Sequence, residues 1–366
     1  MSSFDEIARR VLAFIEACAG PEPPSEAAFD ALAREVFAFQ IASIPAYRDF
    51  CLRRGRGPGQ IEHWSQIPAL PAAAFKRLDL ACAPPRFVFL TSGTTGGAEG
   101  RGRHLVPEPE LYRRSAVSHF RTMVLPDEIR PRFVALLASP RTLPHSSLAQ
   151  MVEWVASELG RGEPRYLVDA DGFDPAGATE AIREEAASGT PICLIGWRVA
   201  FTALLEHCRR EGRTLALPAD SRIVDTGGRK GGRALSDAGF RAACWSVLHV
   251  PGYQCVNEYG MTELCSQLYD DVLLSRFQGS ERGRSKRGPA WMRTLAVDPA
   301  TLEPVDPGER GLLAHLDLAN AGSVIAVQTE DVGRVRDGGV HLEGRAAGAE
   351  PRGCALALAE LEAARA

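Results

Sequence analysis

The chain has 366 residues, is 45% hydrophobic and 24% charged, and carries a formal net charge of −4. That is the make-up of a globular protein long enough for two or three domains, and the near-neutral balance gives no electrostatic footprint for nucleic acid or an anionic membrane surface. No apolar run reaches transmembrane length, so no membrane insertion is expected. Nine cysteines without a C-x-x-C, behind an N-terminus that runs from Met1-Ser2-Ser3-Phe4 directly into a helix, point to a reducing, cytoplasmic compartment.

Phe4, Ile7, Ala8, Val11, Leu12 and Ile15 share one face of a helix over 4–19, with Asp5 and Glu6 in the first turn where the helix dipole favours acids. Prolines between 21 and 24 stop it, and a second helix over 25–42 turns Phe29, Leu32, Val36, Phe37 and Ile41 inward. The stretches 44–48 and 67–76 hold Pro45, Pro68 and Pro71 and are expected to be irregular. Phe87–Leu90 reads as a buried strand, and 107–123 as a helix. Strands then alternate with helices: strands at 132–138, 166–168, 192–195 and 222–225, helices at 146–159, 174–187, 198–211 and 236–247, the last capped by Ser236. This alternation predicts an α/β domain with largely parallel sheet. Short strands at 311–318, 324–328, 333–336 and 340–343, separated by Gly, Asn and Asp, predict an antiparallel addition. The expected organisation is an α/β core over 1–307, helical and irregular in 1–80, a small antiparallel β-subdomain over 308–350, and a tail over 351–366.

The stretch 87–103, FVFLTSGTTGGAEGRGR, is chemically unusual for a turn after a strand. Thr91, Ser92, Thr94 and Thr95 supply four hydroxyls in five residues, and Gly93, Gly96 and Gly97 free the backbone. Hydroxyls and backbone N–H groups converging from such a loop make a cradle for phosphate oxygens. It is neither a G-x-x-x-x-G-K-[ST] loop nor a G-x-G-x-x-G fingerprint. Two further stretches carry chemistry: RIVDTGGRK at 222–230 and EYGMTE at 258–263.

TSGTTG resembles the phosphate loop of the adenylate-forming superfamily of acyl-CoA ligases, luciferases and peptide-synthetase adenylation domains. On that resemblance Thr91, Ser92, Gly93, Thr94, Thr95 and Gly96 hold the nucleotide's phosphates, and Arg101, Arg103 and His104 bring positive charge where the superfamily has Pro-Lys. The double glycine Gly227-Gly228 is similar to the turn that lies along adenine. Lys230 has two readings, a contact to phosphate or acyl carboxylate and a solvated loop lysine. Tyr259 through Glu263 resembles the Y-G-x-T-E motif: the Tyr259 ring offers a stacking surface, Gly260 lets the chain turn close to the nucleotide, Thr262 offers a hydroxyl, and Glu263 is a hard oxygen ligand for Mg²⁺. TEDVGRV at 329–335 is similar to the T-G-D segment, with Asp331 on the ribose and Glu330 in place of glycine, and Gly344-Arg345 to the G-R that follows, its arginine reaching ribose or phosphate.

The combination of TSGTTG with a following Arg-His pair, YGMTEL before Ser266-Gln267-Leu268-Tyr269, and Gly344-Arg345 before Glu350-Pro351-Arg352-Gly353-Cys354 resembles the LuxE-type acyl-protein synthetases. Only about twenty residues follow Arg345, so the mobile lid domain of larger relatives and its lysine are not expected. The resemblance implies ATP and Mg²⁺ as cofactors, a carboxylic acid of the fatty-acid class as substrate, an acyl adenylate as intermediate, Cys354 as acyl acceptor, and a LuxC-like acyl reductase subunit as partner. Arg352 and a helix-forming stretch after Cys354 would both favour thiolate. The other eight cysteines read as small buried hydrophobes. Two alternatives stay open: an acyl-CoA ligase or stand-alone adenylating enzyme loading a CoA or carrier-protein thiol, and a non-catalytic nucleotide-binding subunit. Zinc and serine-hydrolase chemistry find no motif, because paired His/Cys spacing and G-x-S-x-G are absent.

Overall fold

The computed structural model describes residues 3–91, 101–227, 235–280 and 283–346. The chain divides into two compact units: Met1–Ser118 with Met261–Gln267 and Arg287–Ala366, and His119–Gly260 with Leu268–Lys286.

The first unit opens with helices Phe4–Cys18, Glu26–Ser43 and Pro45–Arg53. Ser3 and Ser25 cap the first two, accepting from the backbone N–H of Glu6 and Ala28 at 3.3 and 3.2 Å. Ile7, Val11, Ile15, Phe29, Val36 and Phe37 are buried, as the helical spacing predicts. The third helix corrects the irregular reading of 44–48. Pro45 stands in its first turn, where the missing N–H is an orphan anyway and the fixed φ suits a helix. Tyr47 then donates to the carbonyl of Pro68 at 2.8 Å, holding the proline-rich stretch in place. Leu70–Pro71 pairs parallel with Ala326–Arg336, and Ala72–Lys76 forms a 3₁₀ turn.

The C-terminal strands Met292–Val297, Arg310–Asp317, Ala326–Arg336 and Gly339–Arg345 form a consecutive antiparallel meander. The strands expected at 324–328 and 333–336 are one eleven-residue strand, because a register shift between Leu312 and Ala314 of the neighbouring strand, opposite Val332 and Gln328, absorbs the polar TED segment without ending the pairing. Gln40 is fully used inside this unit: its amide donates to the carbonyls of Asn320 and Ala321, both at 3.1 Å, and accepts from Ile325 N–H at 3.1 Å. Phe87–Leu90 forms a separate antiparallel pair with Arg103–Val106, and of its four residues only Phe89 is buried.

The second unit is built on strands ordered Leu268–Asp270, Cys255–Tyr259, Arg222–Thr226, Ile192–Trp197, Arg132–Ala138, Arg165–Asp169, Gly172–Phe173. The five inner strands are parallel and the two outer ones antiparallel. Inner strands read as near-continuous apolar runs because both faces are covered: Val134, Leu136, Leu194 and Ile223 pack with Phe201, Leu205, Phe240 and Val247. Helices Ser147–Leu159, Pro175–Ala186 and Asp237–Ala243 start at the caps Ser146, Asp174 and Ser236. A mixed α/β architecture with helix-flanked sheet and antiparallel strands is therefore present, as the alternation predicts.

Candidate functional site

In the first unit, Thr91 and Arg101 bracket residues 92–100. The Thr91 N–H donates to the Gly102 carbonyl at 2.9 Å, and Thr91 Oγ1 accepts from the Gly102 N–H at 2.8 Å. A Cβ on Gly102 would lie 2.9 Å from the Thr91 methyl, so the close pairing requires glycine. Arg101 donates from Nε to the Thr91 carbonyl at 2.6 Å and from Nη2 to the Leu90 carbonyl at 3.3 Å, which spends its guanidinium on the backbone.

Strand alternation sends Arg103 outward and His104 inward. Arg103 meets Asp79 at 2.6 Å in a solvent-exposed pair, an interaction weak enough to exchange for another anion. His104 is 1% exposed, and burial pushes its imidazole down to about 4. It is neutral at physiological pH, so the expected positive charge at His104 is corrected. Its work is structural: Nδ1 donates to the Thr262 carbonyl at 2.7 Å, and its ring meets Phe75 edge-on at 5.8 Å between centroids. Three segments, 72–76, 101–104 and 262–263, are thus fixed to one another.

Glu263 follows Thr262. Its carbonyl accepts from Asn320 Nδ2 at 2.7 Å, and its side chain is buried. Burial raises the carboxyl to about 7; Arg345 and Lys76 pull it down and Glu330 pushes it up. No cluster of three metal-ligating side chains exists among the described residues. A single buried carboxylate nevertheless suits Mg²⁺, which keeps waters and takes substrate phosphates as its other ligands. A bound divalent cation would also ionise the carboxyl that burial leaves half-protonated.

Asp331 and Arg345 stand opposite each other in the antiparallel register, with Nε and Oδ1 3.4 Å apart. Arg345 is mostly exposed and Asp331 mostly covered. The Asp331 N–H donates to Thr329 Oγ1 at 3.0 Å, and Thr329 donates to the Leu313 carbonyl at 2.8 Å, which orients the turn-like TED segment inside a strand. Glu330 is exposed, and its carbonyl accepts from Ala346 N–H at 3.0 Å.

In the second unit, Gly227 directly follows the strand Arg222–Thr226 with φ +85°, a conformation that glycine alone takes without strain. Thr226 donates to the carboxyl of Glu258, which burial raises to about 7. Tyr259 ends its strand with its ring largely covered, and Gly260 is exposed. Below this edge, Arg198 meets Asp225 at 2.5 Å and Asn257 donates to the same carboxylate at 2.8 Å. Lys286 is consumed in the same way, donating to Asp270 at 2.9 Å and to the Asn257 carbonyl at 3.0 Å.

A family model for LuxE acyl-protein synthetases matches residues 27–362. The chain belongs to the LuxE acyl-protein synthetase family. Within that family it is 23% identical over 348 residues to the long-chain-fatty-acid–luciferin-component ligase of Aliivibrio fischeri, covering 91% of this chain and 88% of that protein. The Vibrio harveyi ligase of the same name is 23% identical over 344 residues, covering 90% and 86%. Among solved structures, 2-hydroxyisobutyryl-CoA ligase in an open conformation with 2-HIB-AMP and CoA superposes with a TM-score of 0.62 at 15% identity, over 87% of this chain and 74% of that one. Its thioesterification-state structure gives 0.60 over 93% and 68%. The LuxE-family chain thus has the fold of an adenylate-forming enzyme.

Of the residues singled out by motif in this LuxE-family chain, Thr91, Arg103, Thr262, Glu263, Asp331 and Arg345 lie in the first unit and Gly227, Tyr259 and Gly260 in the second. Ser92, Gly93, Thr94, Thr95, Gly96, Gly228, Lys230 and Cys354 lie outside the described residues. Motif reading gave no role to Lys76 or to His104 as an anchor. The available signal was rarity for Lys76, one of three lysines, and period-two alternation for His104.

Proposed function

We propose that this protein activates a carboxylic acid, a long-chain fatty acid foremost, with ATP and Mg²⁺, and then carries the acyl group on its own Cys354 for delivery to a LuxC-like acyl reductase. The observation that carries this reading is the acyl-protein synthetase family match over 27–362, which includes the loop, EYGMTE, TED and Cys354 stretches together. Two bacterial relatives named for ligation of a long-chain fatty acid support the substrate class.

In the first step a carboxylate oxygen attacks the α-phosphorus of ATP. An acyl–O–P bond forms, the α–β bridge breaks, and pyrophosphate leaves with the electron pair. Positioning and charge neutralisation do most of this work. Thr91 and the hydroxyl-rich loop would seat the phosphates, and Asp331 the ribose. Glu263 would hold Mg²⁺, which supplies charge neutralisation at the phosphates when bound. Arg345, freed from its exposed pair with Asp331, has reach for ribose or phosphate.

In the second step the thiolate sulfur of Cys354 attacks the acyl carbon. A thioester forms, AMP leaves with the electrons, and the thiol proton passes to solvent. Burial pushes the thiols of Cys18, Cys51 and Cys82 up to about 11, 12 and 12, and those of Cys193 and Cys265 well above their ordinary value. These thiols stay protonated near neutrality and make poor nucleophiles, which favours an acceptor elsewhere in the chain.

ATP–pyrophosphate exchange with a panel of carboxylic acids tests the first step. Exchange that depends on a medium or long acyl chain is expected. Exchange with none of the acids would remove the ligase reading and favour a nucleotide-binding subunit.

A further inference from the structure

Three cations stand on the first unit near Thr91 and Glu263 in addition to Lys76, and each is engaged. Arg101 donates to the Thr91 and Leu90 carbonyls, Arg103 pairs with Asp79, and Arg345 pairs with Asp331. Lys76 is different. It is the last residue of the 3₁₀ turn Ala72–Lys76 and its side chain is exposed. Among the described residues its ammonium has no hydrogen bond or ion pair, although a strong cation in this setting has acids within electrostatic reach. Its stem lies beside Gly102 and Thr91: Lys76 Cγ is 3.6 Å from the place a Cβ on Gly102 would take, and the Thr91 side chain is 2.9 Å from the same place.

The turn that carries Lys76 is held by the preceding residue. Phe75 is fully buried and meets the ring of His104, which is bonded to the carbonyl next to Glu263. The backbone at Lys76 is therefore placed relative to both Thr91 and Glu263, while four methylenes leave the ammonium free to move. An anchored stem with an unspent charge, opening beside Thr91 and the buried Glu263 carboxyl, is the arrangement of a cation kept for a substrate anion.

We propose that Lys76 is a catalytic residue of the adenylation step, donating hydrogen bonds to a non-bridging oxygen of the α-phosphate while the carboxylate attacks. The assignment rests on the adenylation reading above. Lys76 takes and gives no proton in the step: it offsets charge that develops as the α–β bridge breaks and pyrophosphate departs with the electron pair. Its contribution belongs to the first half-reaction alone, because no phosphate bond changes when the acyl group passes from the adenylate to sulfur.

The test compares wild type, Lys76→Met and Lys76→Arg in acid-dependent ATP–pyrophosphate exchange and, separately, in acylation by pre-formed acyl adenylate. Loss of one donor to a developing anion costs on the order of 10²-fold in kcat. Lys76→Met should show that loss with KM for ATP within about threefold, Lys76→Arg should recover part of it, and both variants should accept acyl adenylate at the wild-type rate. Exchange by Lys76→Met at the wild-type kcat, or equal loss in both half-reactions, would overturn the assignment while leaving the ligase reading intact. Absence of acid-dependent exchange in wild type would remove both.

Discussion

His104 donates from Nδ1 to the carbonyl of Thr262 across 2.7 Å, and this bond ties the strand Arg103–Val106 to the segment that ends in Glu263. A buried imidazole with one nitrogen committed to a carbonyl must keep its proton there and stay neutral. Burial lowers it from 6.5 to about 4. The folded state therefore binds fewer protons than the unfolded state between those values. The stability His104 contributes is full above about 6.5 and is lost as pH falls toward 4.

His104→Ala is expected to destabilise the protein by about 1–3 kcal/mol at neutral pH, since the Thr262 carbonyl loses its donor. The thermal midpoint of the variant should fall less steeply between pH 6.5 and 4 than that of wild type. Parallel melts over that window check it; identical slopes would contradict a neutral, bonded His104.

Glu263 runs the other way. Its carboxyl is raised from 4.5 to about 7, so the folded state holds a proton that the unfolded state has released. The protonated group favours the fold below about 4.5, and that advantage is lost as pH rises through about 7. Glu263→Gln should therefore gain about 1–3 kcal/mol relative to wild type at pH 8 compared with pH 5. Binding of Mg–ATP should tighten with pH across about 7 in wild type and be pH-independent in the variant. Calorimetric titration at several pH values measures both trends.

Arg198 and Asp225 form a buried pair at 2.5 Å, with the Arg198 guanidinium stacked 4.1 Å over Phe240. Arg198→Met leaves Asp225 uncompensated at the end of an inner strand, and is expected to cost about 3–5 kcal/mol. The double variant Arg198→Met, Asp225→Asn should recover much of that loss. Urea unfolding of the two variants separates a stranded charge from lost packing.

The second unit was legible because its periodicities are unambiguous. Inner strands such as Ile192–Trp197 are apolar throughout, and the helices begin at Ser146, Asp174 and Ser236, whose side chains cap the first turn. Misreadings fell where a local signal had two meanings. Pro45 was read as part of an irregular segment, yet at a first turn it starts a helix. The polar TED segment was read as ending a strand, yet a bulge against Leu312–Ala314 lets pairing continue to Arg336. Arg101, Arg103 and His104 were read as one group of charges, yet alternation in the strand Arg103–Val106 buries His104, and Arg101 spends its guanidinium on carbonyls. Charge state and engagement depend on burial and partners that lie far off in sequence, as Thr262 does for His104.

On the proposed reaction the acyl group ends on this chain at Cys354. Intact-mass spectrometry after incubation with ATP, Mg²⁺ and carboxylic acids, with a Cys354→Ser variant alongside, tests it directly. An acyl adduct is expected on wild type that hydroxylamine removes, absent from the variant while pyrophosphate release continues. Pyrophosphate release with no adduct on either protein would contradict it and point to an external thiol.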